Sequence, residues 1–287
     1  MMSIAYMTWI EILRKRVLLV TTVLTMAFLG LYMYAVHAMA SSLAVAPPGA
    51  VDLLNHFIHG ALFLAIGLYT ANFTVAYLNI FSAAGTISAE IESGLLLAIL
   101  PRPISRWKVY LGKFIGYGAW GLLYGAVMFW SVVLIVHMNV DFPMDATTLV
   151  KGFLMFELIP LVLVSLSMIA SLYLPTLGAG VAVTLLFGLG LIGGFIQRVN
   201  LTSSAQAALD NVGLITSLIM PANPLYYRMV YELMGGSNFS LSGGQTNNML
   251  GPFGGGSVPS NAFVVYSIVY ICAALLWGAY QFTRKDI

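Results

Sequence analysis

FSAAGTISAEIESGLLLAILPRPISRWKVYLGK, residues 81–113, is the longest polar interruption with an internal pattern in an otherwise apolar chain. It holds four of the twelve basic residues (Arg102, Arg106, Lys108 and Lys113) and two of the ten acids, Glu90 and Glu92. Ala84, Ile87, Ile91, Leu95 and Ala98 recur at helical spacing, and Thr86, Glu90 and Ser93 fall on another face. The pattern predicts a short amphipathic helix ending at Pro101 and Pro103, which lack the N–H needed to continue the hydrogen-bond ladder. Such a helix, with carboxylates and a basic exit between two hydrophobic runs, suits docking to a cytoplasmic partner. From pattern alone, an interfacial connector between two membrane spans is the simpler account.

The rest of the chain says that the runs on either side are membrane spans. Of 287 residues, 60% are hydrophobic and 8% charged, with mean hydropathy +0.93. Soluble domains carry about 25% charged residues, so the composition is that of an integral membrane protein. Crossing about 30 Å of hydrocarbon takes roughly 20 helical residues. Six runs are long enough: about 17–40, 57–81, 109–137, 149–173, 177–196 and 262–282. Leu174-Pro175-Thr176 is a tight turn between the fourth and fifth. Ahead of the first, Tyr6, Trp9, Ile10 and Leu13 oppose Thr8, Glu11 and Lys15, which predicts an interfacial helix over 3–16. Ala38-Met39-Ala40 resembles a cleavage site, but the preceding run exceeds the usual h-region of about 7–15 residues and reads as a retained span.

Six crossings put both termini on one side. If that side is inside, Arg14, Lys15, Arg16, Arg102, Arg106, Lys108, Lys113, Arg284 and Lys285 are inside, and Lys151, Arg198 and Arg228 outside. The positive-inside rule then makes 82–108 a cytoplasmic loop and 197–261 a large outer loop. Within the latter, Leu209–Met234 reads as a segment on or dipping into the outer interface. Residues 235–261 read as a Gly/Ser/Asn-rich tip.

Gly85, Ile87, Ser88, Glu90, Glu92, Gly94, Leu96, Leu100, Pro103, Ile104, Ser105 and Arg106 form a pattern that resembles the type-2 ABC transporter permease family. Leu111-Gly112-Lys113 opening a span is similar too, as is the ending Gln281-Phe282-Thr283-Arg284-Lys285-Asp286-Ile287. Leu95 stands where members usually carry Thr. The resemblance implies that the loop between the second and third spans contains the helix that couples to an ATP-binding subunit. It implies contacts from Ser88, Glu90, Glu92, Gly94, Arg102 and Arg106, the arginines meeting anionic lipid or the ATPase. It further implies two copies of an ABC ATP-binding subunit carrying ATP and Mg, and a second permease copy as homodimer or heterodimer. This chain itself would bind no cofactor. Asn223-Pro224-Leu225-Tyr226-Tyr227-Arg228 is similar to a stretch in members that assist copper-site assembly.

Several motifs carry less than they suggest. Leu241-Ser242-Gly243-Gly244-Gln245 spells the ABC ATPase signature, but it lies in a Gly/Ser loop on the outer side. No G-x-x-x-x-G-K-[ST] is present, so no ATP site and no catalytic residue are expected. His56-x-x-His59 after Asp52 is not HExxH and reads as a helix end, not a metal site. His37 and His137 fall near outer span ends. Cys272 is the single cysteine, so an internal disulfide is excluded. Gly112, Gly116, Gly121 and Gly125, then Gly188, Gly190, Gly193 and Gly194, predict close helix packing or a dimer seam.

Glu157 is the one acid well inside an apolar run. A charge near the bilayer centre costs at least about 2.5–3.5 kcal/mol, so it should be neutral, paired or facing a cavity. Pro160 follows three residues on and cannot donate to Phe156. The pair predicts a translocation path or hinge; snorkelling at the outer interface near Lys151 is the alternative.

These readings converge on an all-α, multi-pass cell-membrane protein of one domain spanning 1–287, and the resemblance implies a permease of the bacterial plasma membrane. With few polar residues in the spans, the expected cargo is hydrophobic or amphipathic: a lipid, peptide or drug moved outward. The alternatives are an ion-gradient-driven secondary transporter, which would need more intramembrane carboxylates, and a permease assisting copper-site assembly. No nucleic-acid partner is expected.

Overall fold

The computed structural model describes residues 2–14, 16–43, 50–94, 105–140, 145–196, 203–234 and 259–284. Every regular element among them is a helix: α1 (Met2–Arg14), α2 (Arg16–Leu43), α3 (Ala50–Ala84), α4 (Ser88–Glu92), α5 (Arg106–Asn139), α6 (Ala146–Tyr173), α7 (Thr176–Ile196), α8 (Ser203–Ile219), α9 (Ala222–Leu233) and α10 (Asn261–Arg284). Six of these, α2, α3, α5, α6, α7 and α10, are long and apolar enough to cross a membrane, as the hydropathy pattern predicts.

The centre of the bundle is α6, which packs against α3, α4, α5, α7, α9 and α10. Its sequence is apolar all round, the signature of a helix with no solvent-facing side. It runs through Pro160 without a break. Leu174 ends it with extended backbone, and Pro175 accepts from the Ala179 N–H at 2.9 Å to start α7. By contrast, α2 and α10 lie at the edge of the bundle. On α2, Tyr32 and Val36 are buried while Leu24, Met26, Leu31 and Tyr34 are exposed. Bonds that anchor it include Thr25 Oγ1 to Tyr124 OH at 2.5 Å and Tyr32 OH to the Phe63 carbonyl at 2.8 Å.

Between apolar helices in lipid there is no hydrophobic drive to associate, so close backbone approach and polar ties matter more. The glycines supply the approach. Gly116 faces Thr8 and the Ala5 carbonyl of α1, Gly121 faces Asn79 and Pro160, and Gly125 faces Glu157. On α7, Gly190 lies on Met220, Gly193 on Thr216, and Gly194 on Asn223 and Tyr227. These positions are filled from within the chain, as close packing inside the bundle requires. Gly188 is the exception, with open space around it.

Two expectations need correction. The pattern at 84–98 predicts one continuous helix, but α3 ends at Ala84 and only Ser88–Glu92 is helical before Gly94 at φ +70°. Gly85 sits against Thr176, where a Cβ would be 2.9 Å from Cγ2, and the chain turns there. Residues 95–104, with Arg102, Pro101 and Pro103, lie outside the described residues.

On α1, the docked stripe is Thr8 and Ile12 with Ile4, and Tyr6 and Leu13 are exposed. Thr8, expected on the polar face, is the residue that meets Gly116, its hydroxyl donating to the Ile4 carbonyl at 2.9 Å. A small side chain whose hydroxyl is satisfied within its own helix can pack like an apolar one.

The segment expected on or dipping into the outer interface forms two helices, α8 and α9, and α9 packs into the bundle. In α9, Ala222, Asn223, Leu225, Tyr226, Met229, Val230 and Leu233 are all buried. Tyr226 OH donates to the Ala65 carbonyl at 2.8 Å, and Asn223 Nδ2 to the Gly190 carbonyl at 3.0 Å. Positions 222, 225, 226, 229, 230 and 233 follow the helical period, so one face is continuous and must be covered.

Candidate functional site

Where α3 gives way to α4, the helix ladder leaves carbonyls without a following N–H. Thr86 turns its hydroxyl back to the Ala83 carbonyl at 2.6 Å, and its own carbonyl accepts from Lys113 Nζ at 2.7 Å. Lys113 comes from the second turn of α5 and is buried, at 7% exposure. Its ammonium also pairs with the Glu90 carboxylate of α4. A cation buried among apolar helices requires such partners. On the other side of α4, Ser88 Oγ and Thr176 Oγ1 are 3.0 Å apart, tying it to the first residue of α7. One five-residue helix is thus held to the starts of two long ones.

Of the six residues expected to meet an ATPase, Ser88 faces Thr176 and Glu90 faces Lys113. Glu92 is exposed, and Gly94 takes the left-handed conformation that closes the helix, its N–H donating to the Ile91 carbonyl at 3.1 Å. Arg106 opens α5, half-buried. Lys113 and Thr176 were not among the candidates. A lysine seven residues into a membrane-spanning helix was the available signal for the first; nothing in the local sequence points to the second.

A second polar group lies deeper, among α3, α5 and α6. Glu157 is buried, and neither carboxyl oxygen has a hydrogen-bond partner. The missing side chain of Gly125 makes room for it: a Cβ there would be 3.0 Å from Oε1. One turn along α5, Gly121 makes the same room for Asn79, whose Nδ2 donates to the Val75 carbonyl at 2.8 Å while its Oδ1 is unpartnered. Asn72, two turns from Asn79 on α3, is fully buried with both amide atoms unpartnered. Pro160 abuts Gly121, at 3.1 Å from a Cβ placed there. The structure therefore brings Glu157 and Pro160 to one glycine-lined seam with Asn79, and Asn72 is buried two turns along the same helix; the sequence reading missed both asparagines. Their i, i+7 spacing in an apolar run was the legible signal.

Among the described residues, no three His, Cys, Asp or Glu side chains come together as a metal site. His37 Nδ1 lies 3.0 Å from Asn139 Oδ1, and His137 is exposed in the last turn of α5. The side chains of Asp52 and His56, and the 241–245 motif, lie outside the described residues.

The model of the family described as ABC-2 family transporter protein matches residues 2–287. The chain belongs to that family. Comparison with curated proteins finds no match. As an ABC-2 family protein with six membrane-length helices, it is a multi-pass membrane protein and a permease subunit of an ABC transporter. ABC-2 membership implies association with an ATP-binding subunit and makes this chain the membrane component.

Proposed function

We propose that this permease is the membrane half of an exporter, working as a dimer with two ATP-binding subunits that carry ATP and Mg. Both termini and the 82–108 loop face the cytoplasm, as the distribution of basic residues supports. Closure of the ATP-binding subunits displaces α4, and α5 and α7 follow because α4 is tied to the second turn of α5 and the first residue of α7. The observation that carries this reading is that double tie, Glu90 to Lys113 and Ser88 to Thr176.

Glu157 and Pro160 supply the moving seam. The Glu157 carboxyl, the Asn79 Oδ1 and the Asn72 amide are buried without partners, each at a cost of about 1–3 kcal/mol that falls when these groups are solvated or meet cargo. The cargo is hydrophobic or amphipathic, since apolar side chains dominate the spans.

The test is affinity purification of the tagged permease from its native membrane in mild detergent. An ATP-binding subunit should accompany it, and charge reversal of Glu92 should weaken that association. Purification without any such subunit across several detergents would sink the proposal.

A further inference from the structure

The side chain of Lys113 does more than solvate the end of α3. We infer that Lys113 is the positioning residue through which α4 moves α5, and that Glu90 is its internal partner instead of a contact to the ATP-binding subunit. This rests on the transport reading above and assigns its transmission step.

Three observations carry it. First, the Glu90 side chain is only 20% exposed and is turned to Lys113, so its charge is spent inside the chain. Exposed Ala89, Glu92 and Ser93 form the outward surface of α4. Second, Lys113 joins three elements at one atom: the Thr86 carbonyl ending α3, the Glu90 carboxylate on α4, and its own helix α5. A charge-assisted contact of this kind is directional and strong for its size, so displacement of α4 drags the start of α5. Third, the next turn of α5 is where α1 is seated. Gly116, three residues on, packs against Thr8 and the Ala5 carbonyl, and Trp9 meets Trp120 edge-on at 5.6 Å between ring centres. The interfacial helix therefore follows the part of α5 that Lys113 commands. The tie from Ser88 to Thr176 does for α7 what Lys113 does for α5.

The deciding experiment uses the complex with its ATP-binding subunit, reconstituted in nanodiscs, with Glu90→Lys, Lys113→Glu, the double swap and Lys113→Arg. Bound subunit per permease and permease-dependent ATP hydrolysis are measured on each. Each single reversal should leave the subunit bound within about twofold and lower permease-dependent hydrolysis roughly fivefold or more, within the range of conformational coupling. The double swap should regain at least about half; the Thr86 carbonyl loses its donor, so recovery is incomplete. Lys113→Arg should remain close to the parent. If a single reversal fails to fold, recovery of folded protein and hydrolysis by the double swap still supports the pairing, and no recovery overturns it. Loss of the bound subunit in Glu90→Lys that Lys113→Glu does not restore would make Glu90 a direct contact and overturn the inference alone. A parent complex that never holds a subunit would overturn the transport reading and the inference together.

Discussion

Gly121→Ala tests how tightly the α3–α5–α6 seam is closed, with Gly188→Ala as its control. Both positions are helical glycines in apolar spans, so each substitution gains about 0.5–1 kcal/mol of backbone preference. At Gly188 nothing lies within 4 Å of the new methyl, and the gain stands alone. At Gly121 the methyl collides with Asn79 Oδ1 and comes within 3.1 Å of Pro160 Cβ. A proline ring in the middle of α6 cannot yield, so the amide must move. Overpacking costs about 1–3 kcal/mol, and Asn79 gives up its bond to Val75, worth about 1 kcal/mol. The net is about 1–3 kcal/mol destabilising. At roughly 2–4 °C per kcal/mol, Gly121→Ala should lower the apparent Tm in detergent by about 2–12 °C, and Gly188→Ala should raise it by about 1–4 °C. Adding Asn79→Ala should recover most of the loss, since the colliding group is then absent. Equal shifts for the two alanine variants, read by size-exclusion thermostability, would refute the close seam.

Two further outcomes bear on the outer helices and the orientation. Arg228 donates to the Pro259 carbonyl at 3.0 Å and to Asn261 Oδ1 at 2.6 Å, and pairs with Glu232, joining α9 to the start of α10. Arg228→Met strands a half-buried carboxylate and should cost about 1–3 kcal/mol, whereas Arg228→Lys should recover less than half because it lacks the planar fork; an unchanged Tm in the Met variant would show the clasp to be idle. On a Cys272→Ser background, Asp145→Cys should react with a membrane-impermeant thiol reagent in intact cells, and Glu92→Cys only after the membrane is opened. The reverse pattern would invert the orientation.

How much of this could be read from the chain alone follows from what each feature depends on. Whether a run is long and apolar enough to cross a membrane is a local property, so α2, α3, α5, α6, α7 and α10 fall on the six runs seen in the sequence. The amphipathic register at 84–98 was local too, yet it misled. Helical spacing cannot register that Gly85 must approach Thr176, 91 positions away, or that Gly94 will take a left-handed turn.

At α9 the face was legible but its destination was not: six apolar or small positions at helical spacing fit a membrane surface and a bundle core equally well. Gly190 and Gly194 decided for the core by opening space on α7 for Met220 and Asn223.

The same division runs through the functional site. Charges near 82–113 and the buried acid at 157 are sequence facts, because a polar residue in an apolar chain is conspicuous wherever it folds. Which cation Glu90 meets, and which glycine shelters Glu157, depends on contacts between residues 23 and 32 positions apart, from Glu90 to Lys113 and from Gly125 to Glu157. Sequence composition fixes the solvent a segment prefers; only packing fixes the partner it finds there.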